Sequence, residues 1–159
     1  MGRNAAGESF LRAYLNHNLL TTNYIYFDDP KYINFFNDIS LNSKSSNNCE
    51  YITNTNIASL SKPGSIFYPG PDISNFAKLR TFNGHKKWSI SGITHTTSSA
   101  GAMDSIIDIL TAPIYPWDAL ICTSNAVKSN VEKLFSSQFN FLSSHIGATN
   151  FSVPELPVI

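Results

Sequence analysis

The chain is poor in charged residues and in cysteine, and each shortage argues against a class of protein. Charged side chains make up 14% of the 159 residues, and 11 basic against 11 acidic side chains give a formal net charge of zero. A neutral chain has no electrostatic attraction toward nucleic acid, so we expect no such partner. Cys49 and Cys122 lie far apart in the sequence without metal-ligand spacing. We therefore expect neither a disulfide framework nor a metal site.

Long apolar runs are also lacking. No run approaches the roughly 18 residues that a membrane-spanning helix needs, and the first residues have no apolar core of the signal-peptide kind. The sequence therefore predicts a soluble, cytoplasmic protein, for which membrane contact stays open but unsupported. Aromatic residues make up 13% of the chain, too many for a disordered one. A chain of this length is typical of one compact domain.

Short apolar, β-branched runs alternate along the chain with segments of helical periodicity. The runs predict strands at 23–27, 50–53, 65–68, 90–94, 119–123 and 156–159. Strands that alternate with helices form βαβ units, so we predict an α/β fold with a Rossmann-like, doubly wound, mostly parallel sheet. No strand precedes the first predicted helix. We therefore expect either a fragment or a sheet that lacks its first strand.

Polar residues and one glycine predict where the helices begin and end. The first helix is expected to start after a turn, with Asn4 as its cap and with Phe10, Ala13, Tyr14 and His17 on its apolar face, widened by Leu11 and Leu15. The later caps are expected at Asp72, at Ser98 or Ser99, and at Ser124, and Gly147 should end the last helix.

The strongest candidate for a functional site is the stretch from Trp88 to Ser105, WSISGITHTTSSAGAMDS. It passes from a predicted buried strand into hydroxylated residues, and His95 stands where the strand ends. In an open α/β sheet, ligands bind outside the carboxyl ends of the strands. Imidazole titrates near neutrality and can exchange a proton or hydrogen-bond a sugar hydroxyl. A structural histidine bonded to nearby backbone is the alternative.

The hydroxyl groups around His95 suit a polyhydroxylated or phosphorylated ligand, and they equally suit a helix cap. We take Thr94, Thr96 and Ser98 as candidate substrate-binding residues. Gly2 and Arg3 form a second candidate site, because a glycine lets the backbone approach a ligand and a following helix N-terminus attracts anions. The alternative is a tight turn with a solvated arginine.

Three segments together resemble the amino-terminal domain of family 4 retaining glycosyltransferases, which have the GT-B architecture. They are GRNAAGESFLRA, SISGITHTTSS with the helix after it, and PWDALICTSNAVKSNVEKLF, and the tail PELPVI resembles the strand before the crossing to the second domain. The resemblance covers nearly the whole chain, 1–159, in order. It implies one half of a two-domain enzyme.

The resemblance also implies roles for particular residues. His95 would occupy the position of the family's active-site histidine, and Gly2 and Arg3 would face the donor diphosphate. The substrates would be a nucleotide-sugar donor and a hydroxyl acceptor, with transfer at retained configuration and with neither metal nor cofactor. The basic residues and paired glutamates of the donor domain have no counterpart in this chain. The isolated segment is therefore expected to be inactive.

Two other functions remain open at the level of sequence. One is a non-catalytic α/β module that binds a sugar or nucleotide. The other is a hydrolase that uses Ser124 and His95, although the GxSxG pattern of a nucleophile elbow is absent and helix capping better explains Ser124.

Overall fold

The computed structural model describes residues 2–41 and 48–159, with the side chains of residues 2–6 left outside the description. The chain divides into two compact units, the first up to Pro63 and the second from Gly64. Each unit is a parallel α/β arrangement with its own sheet.

The first unit is a βαβ arrangement preceded by a helix. Its elements are α1 (Gly2–His17), β1 (Thr22–Phe27), α2 (Tyr32–Leu41), β2 (Asn48–Thr53) and a 3-10 helix at Asn54–Ser61. The two strands pair in parallel, with Thr22 opposite Asn48 and Phe27 opposite Thr53. A parallel pair needs a crossover between its strands, and α2 lies in that crossover.

The core of the first unit contains Leu15, Phe27, Phe36 and Ile39. The predicted apolar face of α1 was wrong in part, because Leu11, Tyr14 and Leu15 pack there while Phe10 is 49% exposed and Ala13 and His17 are also exposed. Leu11 and Leu15, which were predicted only to widen the apolar face, lie with Tyr14 at its centre. The predicted set covered both positions because periodicity alone does not fix the centre of so wide a face.

The second unit holds a three-stranded parallel sheet in the order β3-β4-β5. Its elements are β3 (Ser65–Tyr68), α3 (Ser74–Thr81), β4 (Ser89–Thr94), α4 (Ala100–Ile107), a 3-10 helix at Asp108–Thr111, β5 (Ala119–Cys122) and α5 (Asn125–Ile146). Beyond α5, Glu155 and Val158 form isolated parallel bridges to β5. The strand predicted at 156–159 is thus reduced to these bridges.

Most of the predicted helix ends are confirmed. Ser99 and Ser124 accept hydrogen bonds from Ala102 N and Val127 N, and Gly147 ends α5 with a φ of 70°. The Asp72 cap was wrong, because Ile73 is the N-cap of α3 and makes no side-chain capping bond. The Asp72 carboxylate instead accepts from the Ser74 and Asn75 side chains.

The start of the chain also differs from the prediction. The helix α1 already includes Gly2, so Asn4 lies inside it and cannot be its cap. Gly2 and Arg3 accordingly belong to the first helical turn and not to a loop before it.

The predicted α/β class with mostly parallel strands is confirmed, and the connections are compatible with a Rossmann-like fold. The strands belong to one two-stranded and one three-stranded sheet. Within the described ranges, no helix has the length and apolar character that crossing a bilayer requires.

A fully buried ion pair joins Arg80 of α3 to Asp118, the residue before β5. The contact is bidentate, with Nη1 donating to Oδ1 and Nη2 to Oδ2, each at 2.7 Å. Paired forks of this kind are among the strongest hydrogen-bonded contacts in proteins. The pair therefore ties α3 to the amino-terminal end of β5.

The same pair also binds backbone groups around it. The guanidinium donates to the carbonyls of Trp88 and Pro113, and the carboxylate accepts from the backbone N–H groups of Ile90 and Tyr115. These bonds satisfy both carboxylate oxygens and connect the starts of β4 and β5. Removing either charge would leave the other buried without its partner.

We expect Asp118→Asn to lower the free energy of unfolding by about 3 kcal/mol, because Arg80 would keep its charge in the core without a counter-ion. Urea denaturation measures the change. Glu8→Gln is the control, since the Glu8–Arg12 pair is about half exposed, with side-chain exposures of 41% and 45%, and should cost at most a few tenths of a kcal/mol. Equal losses for the two variants would contradict this assignment.

Candidate functional site

The candidate site lies at the carboxyl edge of the three-stranded sheet. Parallel strands end at the same edge, so the segments that follow β3, β4 and β5 are neighbours there. These segments are residues 69–73, 95–99 and 123–124. The middle one, which we call the β4–α4 loop, contains His95.

His95 is the first residue after β4, and its side chain is exposed. Within the described part of the chain, no hydrogen bond or ion pair engages its imidazole. The ring is therefore open to a ligand at this edge. Among the residues that the structure describes, no carboxylate is bonded to the ring in the way that orients a catalytic histidine.

The three predicted hydroxyl residues differ in where they point. Thr94 is fully buried, and its Oγ1 donates to the Thr96 carbonyl at 3.0 Å, so this hydroxyl serves the loop and does not face the surface. Thr96 and Ser98 are exposed. Their hydroxyl oxygens lie 2.6 Å apart, and Thr96 Oγ1 also accepts from Ser98 N. These two exposed hydroxyls flank the loop that carries His95.

Two residues outside the predicted site attach the β4–α4 loop to its neighbours. Thr123 Oγ1 donates to the Thr94 carbonyl, and Asn130 Nδ2 donates to Thr97 Oγ1, both at 3.2 Å. Thr123 is the last residue of the strand predicted at 119–123, which is a weak signal for this edge. Asn130 carries no signal, because its partner lies 33 residues away in the sequence.

Gly92 in β4 lets the segment after β3 pass close to the strand. The Gly70 carbonyl accepts from Ile93 N at 3.1 Å. A Cβ at position 92 would lie 2.6 Å from that carbonyl oxygen and would clash with the Ile73 side chain. A larger residue would therefore displace the segment that borders the His95 edge.

Gly2 and Arg3 belong to the first unit, in the first turn of α1. The Arg3 side chain lies outside the description, so the predicted contact of these two residues with a diphosphate stays a prediction.

Neither of the two cysteines nor Ser124 has the surroundings of an activated nucleophile. Burial raises the pKa of the Cys122 thiol and of the Cys49 thiol, which disfavours the reactive thiolate. Ser124 Oγ accepts the capping bond from Val127 N, and no bond to His95 is present among the described residues. The hydrolase alternative therefore lacks its nucleophile–base contact. Nor do the described residues gather three His, Cys, Asp or Glu side chains that could hold a metal ion.

We expect Gly92→Ala to lower the free energy of unfolding by about 1–3 kcal/mol, because the new methyl group overpacks a buried site. Gly101→Ala is the matched control. Nothing lies within 4 Å of a Cβ at position 101, so alanine in α4 should be neutral or stabilise by up to about 1 kcal/mol. Thermal or urea unfolding measures both. A neutral Gly92→Ala variant would contradict the close approach at Gly70.

Comparisons with protein-family models, with curated proteins and with solved structures found no match.

Proposed function

We propose that this chain forms the acceptor-side half of a retaining glycosyltransferase, with the nucleotide-sugar donor bound by a further domain of a longer chain. The observation that supports this most directly is the exposed imidazole of His95 at the carboxyl end of β4. That edge is where open α/β sheets bind ligands. The resemblance of the SISGITHTTSS segment to family 4 enzymes supports the same interpretation.

In this proposal His95 contacts a hydroxyl of the transferred sugar or of the acceptor. A ring without a carboxylate partner suits hydrogen bonding to a polyhydroxylated ligand better than strong general-base catalysis. Thr96 and Ser98 provide hydroxyls beside it that can donate to or accept from a sugar. Thr123 and Asn130 hold the loop in place through the Thr94 carbonyl and the Thr97 hydroxyl.

Transfer also requires groups that stabilise the negative charge of the leaving diphosphate. The described residues near His95 offer hydroxyls and the amino-terminal ends of α4 and α5, but no basic side chain hydrogen-bonds within the β4–α4 loop. The proposal therefore assigns diphosphate binding mainly to the donor domain. It follows that the chain alone should bind a sugar weakly and should not turn over a donor.

A non-catalytic sugar- or nucleotide-binding module is the second candidate. The absence of a described carboxylate partner for His95 favours it, since a binding histidine needs no group to orient its proton. The two candidate functions predict different outcomes when sugar transfer is measured. The module predicts ligand binding without transfer, even when the chain is joined to the rest of its protein.

The test is His95→Ala in the longer chain, assayed for transfer from UDP-glucose, UDP-N-acetylglucosamine and GDP-mannose. We expect transfer from the accepted donor to fall by about a hundred-fold or more, because a contact near the reacting centre is lost. Circular dichroism and the unfolding midpoint should stay unchanged, since the side chain is exposed.

His145→Ala is the matched control, because His145 is also exposed but lies on α5 beside Phe141. Transfer should be unaffected by that change. Wild-type transfer in the His95→Ala variant would refute a role for the imidazole in transfer. An absence of transfer from any donor by the longer wild-type chain would favour the binding module.

A further inference from the structure

A basic and aromatic surface lies at the opposite, amino-terminal edge of the same sheet. It contains Lys78 near the end of α3, Phe82, Lys86 and Lys87 in the connection to β4, and Trp117 before β5. We call it the α3–β4 surface. All five side chains are exposed. None of them belongs to the candidate glycosyl site.

The residues that define this surface carry positive charge only, and the exposed Glu155, whose N–H donates to the Asp118 carbonyl, is an acidic residue at the same edge. No acidic residue occurs between Asp72 and Asp104 in the sequence. Arg80, the other cation of the segment, is buried and paired with Asp118. Among the described residues, no carboxylate forms an ion pair with any of the three lysines, whereas Lys31 and Lys62 of the first unit are paired. The three lysine charges therefore lie together at the amino-terminal edge of this sheet.

Two aromatic rings are exposed among these charges. Phe82 is 88% exposed, more than any other described aromatic side chain, and Trp117 is 43% exposed. Trp117 stacks on Tyr115 with ring centroids 4.6 Å apart, and Tyr115 in turn contacts His85 at 5.1 Å. These contacts connect the loop before β5 to the loop before β4. Trp117 therefore belongs to the same edge as the lysines.

Backbone hydrogen bonds fix the loop that carries Phe82. Asn83 N donates to the Arg80 carbonyl and Lys87 N to the Gly84 carbonyl, with Gly84 in a left-handed conformation at a φ of 100°. The buried Arg80 side chain holds the start of this turn against the sheet. Because this turn is already held in place, little conformational entropy is lost when its exposed phenyl ring inserts into an apolar environment.

We propose that the α3–β4 surface binds the anionic face of a lipid bilayer, with Phe82 inserted at the headgroup level and with Lys78, Lys86 and Lys87 over anionic lipid. Lysine clusters are attracted to anionic leaflets, and exposed phenylalanine and tryptophan add burial of apolar surface at the interface. Nucleic acid fits less well, because the five residues of this surface include no arginine and the formal net charge of the chain is zero.

Vesicle co-sedimentation of the 159-residue chain tests the proposal. We expect binding to phosphatidylcholine vesicles that contain about one third phosphatidylserine, weak binding to pure phosphatidylcholine, and weakening by salt. Phe82→Ala should lower the partition coefficient about ten-fold. Lys86→Gln with Lys87→Gln should lower it about twenty-five-fold. Phe82→Trp should preserve binding, which separates loss of the aromatic ring from misfolding.

Matched variants elsewhere on the second unit provide the controls. Phe141→Ala removes a ring that is 53% exposed on α5, and Lys128→Gln with Lys133→Gln removes the same charge from that helix. Both should bind vesicles like the wild type. The proposal is overturned if the controls lose as much binding as the test variants or if no vesicle is bound. Binding to an oligothymidylate of about twenty nucleotides without vesicle binding would overturn it in favour of nucleic acid.

Discussion

The buried contact between Arg80 and Asp118 is the constraint on which the second unit depends. It joins α3 to the starts of β4 and β5 through one guanidinium and one carboxylate. A charge pair buried in a protein core is stable only if most of its polar atoms are hydrogen-bonded. The backbone groups of four neighbouring residues each form one of these hydrogen bonds. The starts of β4 and β5 are thus held together at the amino-terminal edge. The loops at the carboxyl edge carry hydroxyl groups and the exposed imidazole of His95.

Much of this unit could be predicted from local pattern. The strands at Ser65–Tyr68 and Ala119–Cys122 follow short apolar runs, and the caps at Ser99 and Ser124 follow from a hydroxyl placed directly before a helical segment. The position of His95 at the end of a strand was predictable for the same reason. These features depend only on residues close together in the chain.

Features that depend on distant residues could not be predicted. Arg80 and Asp118 are 38 positions apart, so neither shows in the sequence that it is buried and paired. Division of the strands between two sheets is equally invisible, because periodicity indicates a strand but not its neighbour. The burial of Thr94 is equally hidden, because β4 places it on the inward side with Ile90, whereas Ile93 on the other side is just as apolar in the sequence.

The two edges of the small sheet thus differ in chemistry, with hydroxyls and an imidazole at one and lysines with aromatic rings at the other. The proposed function assigns a glycosyl ligand to the first edge. A crystal structure of the longer chain with a nucleotide sugar and an acceptor analogue measures this directly. The proposed function predicts a sugar hydroxyl within about 3 Å of a His95 ring nitrogen, beside Thr96 and Ser98. A sugar bound away from the carboxyl edge of β4, with His95 facing bulk solvent, would contradict it.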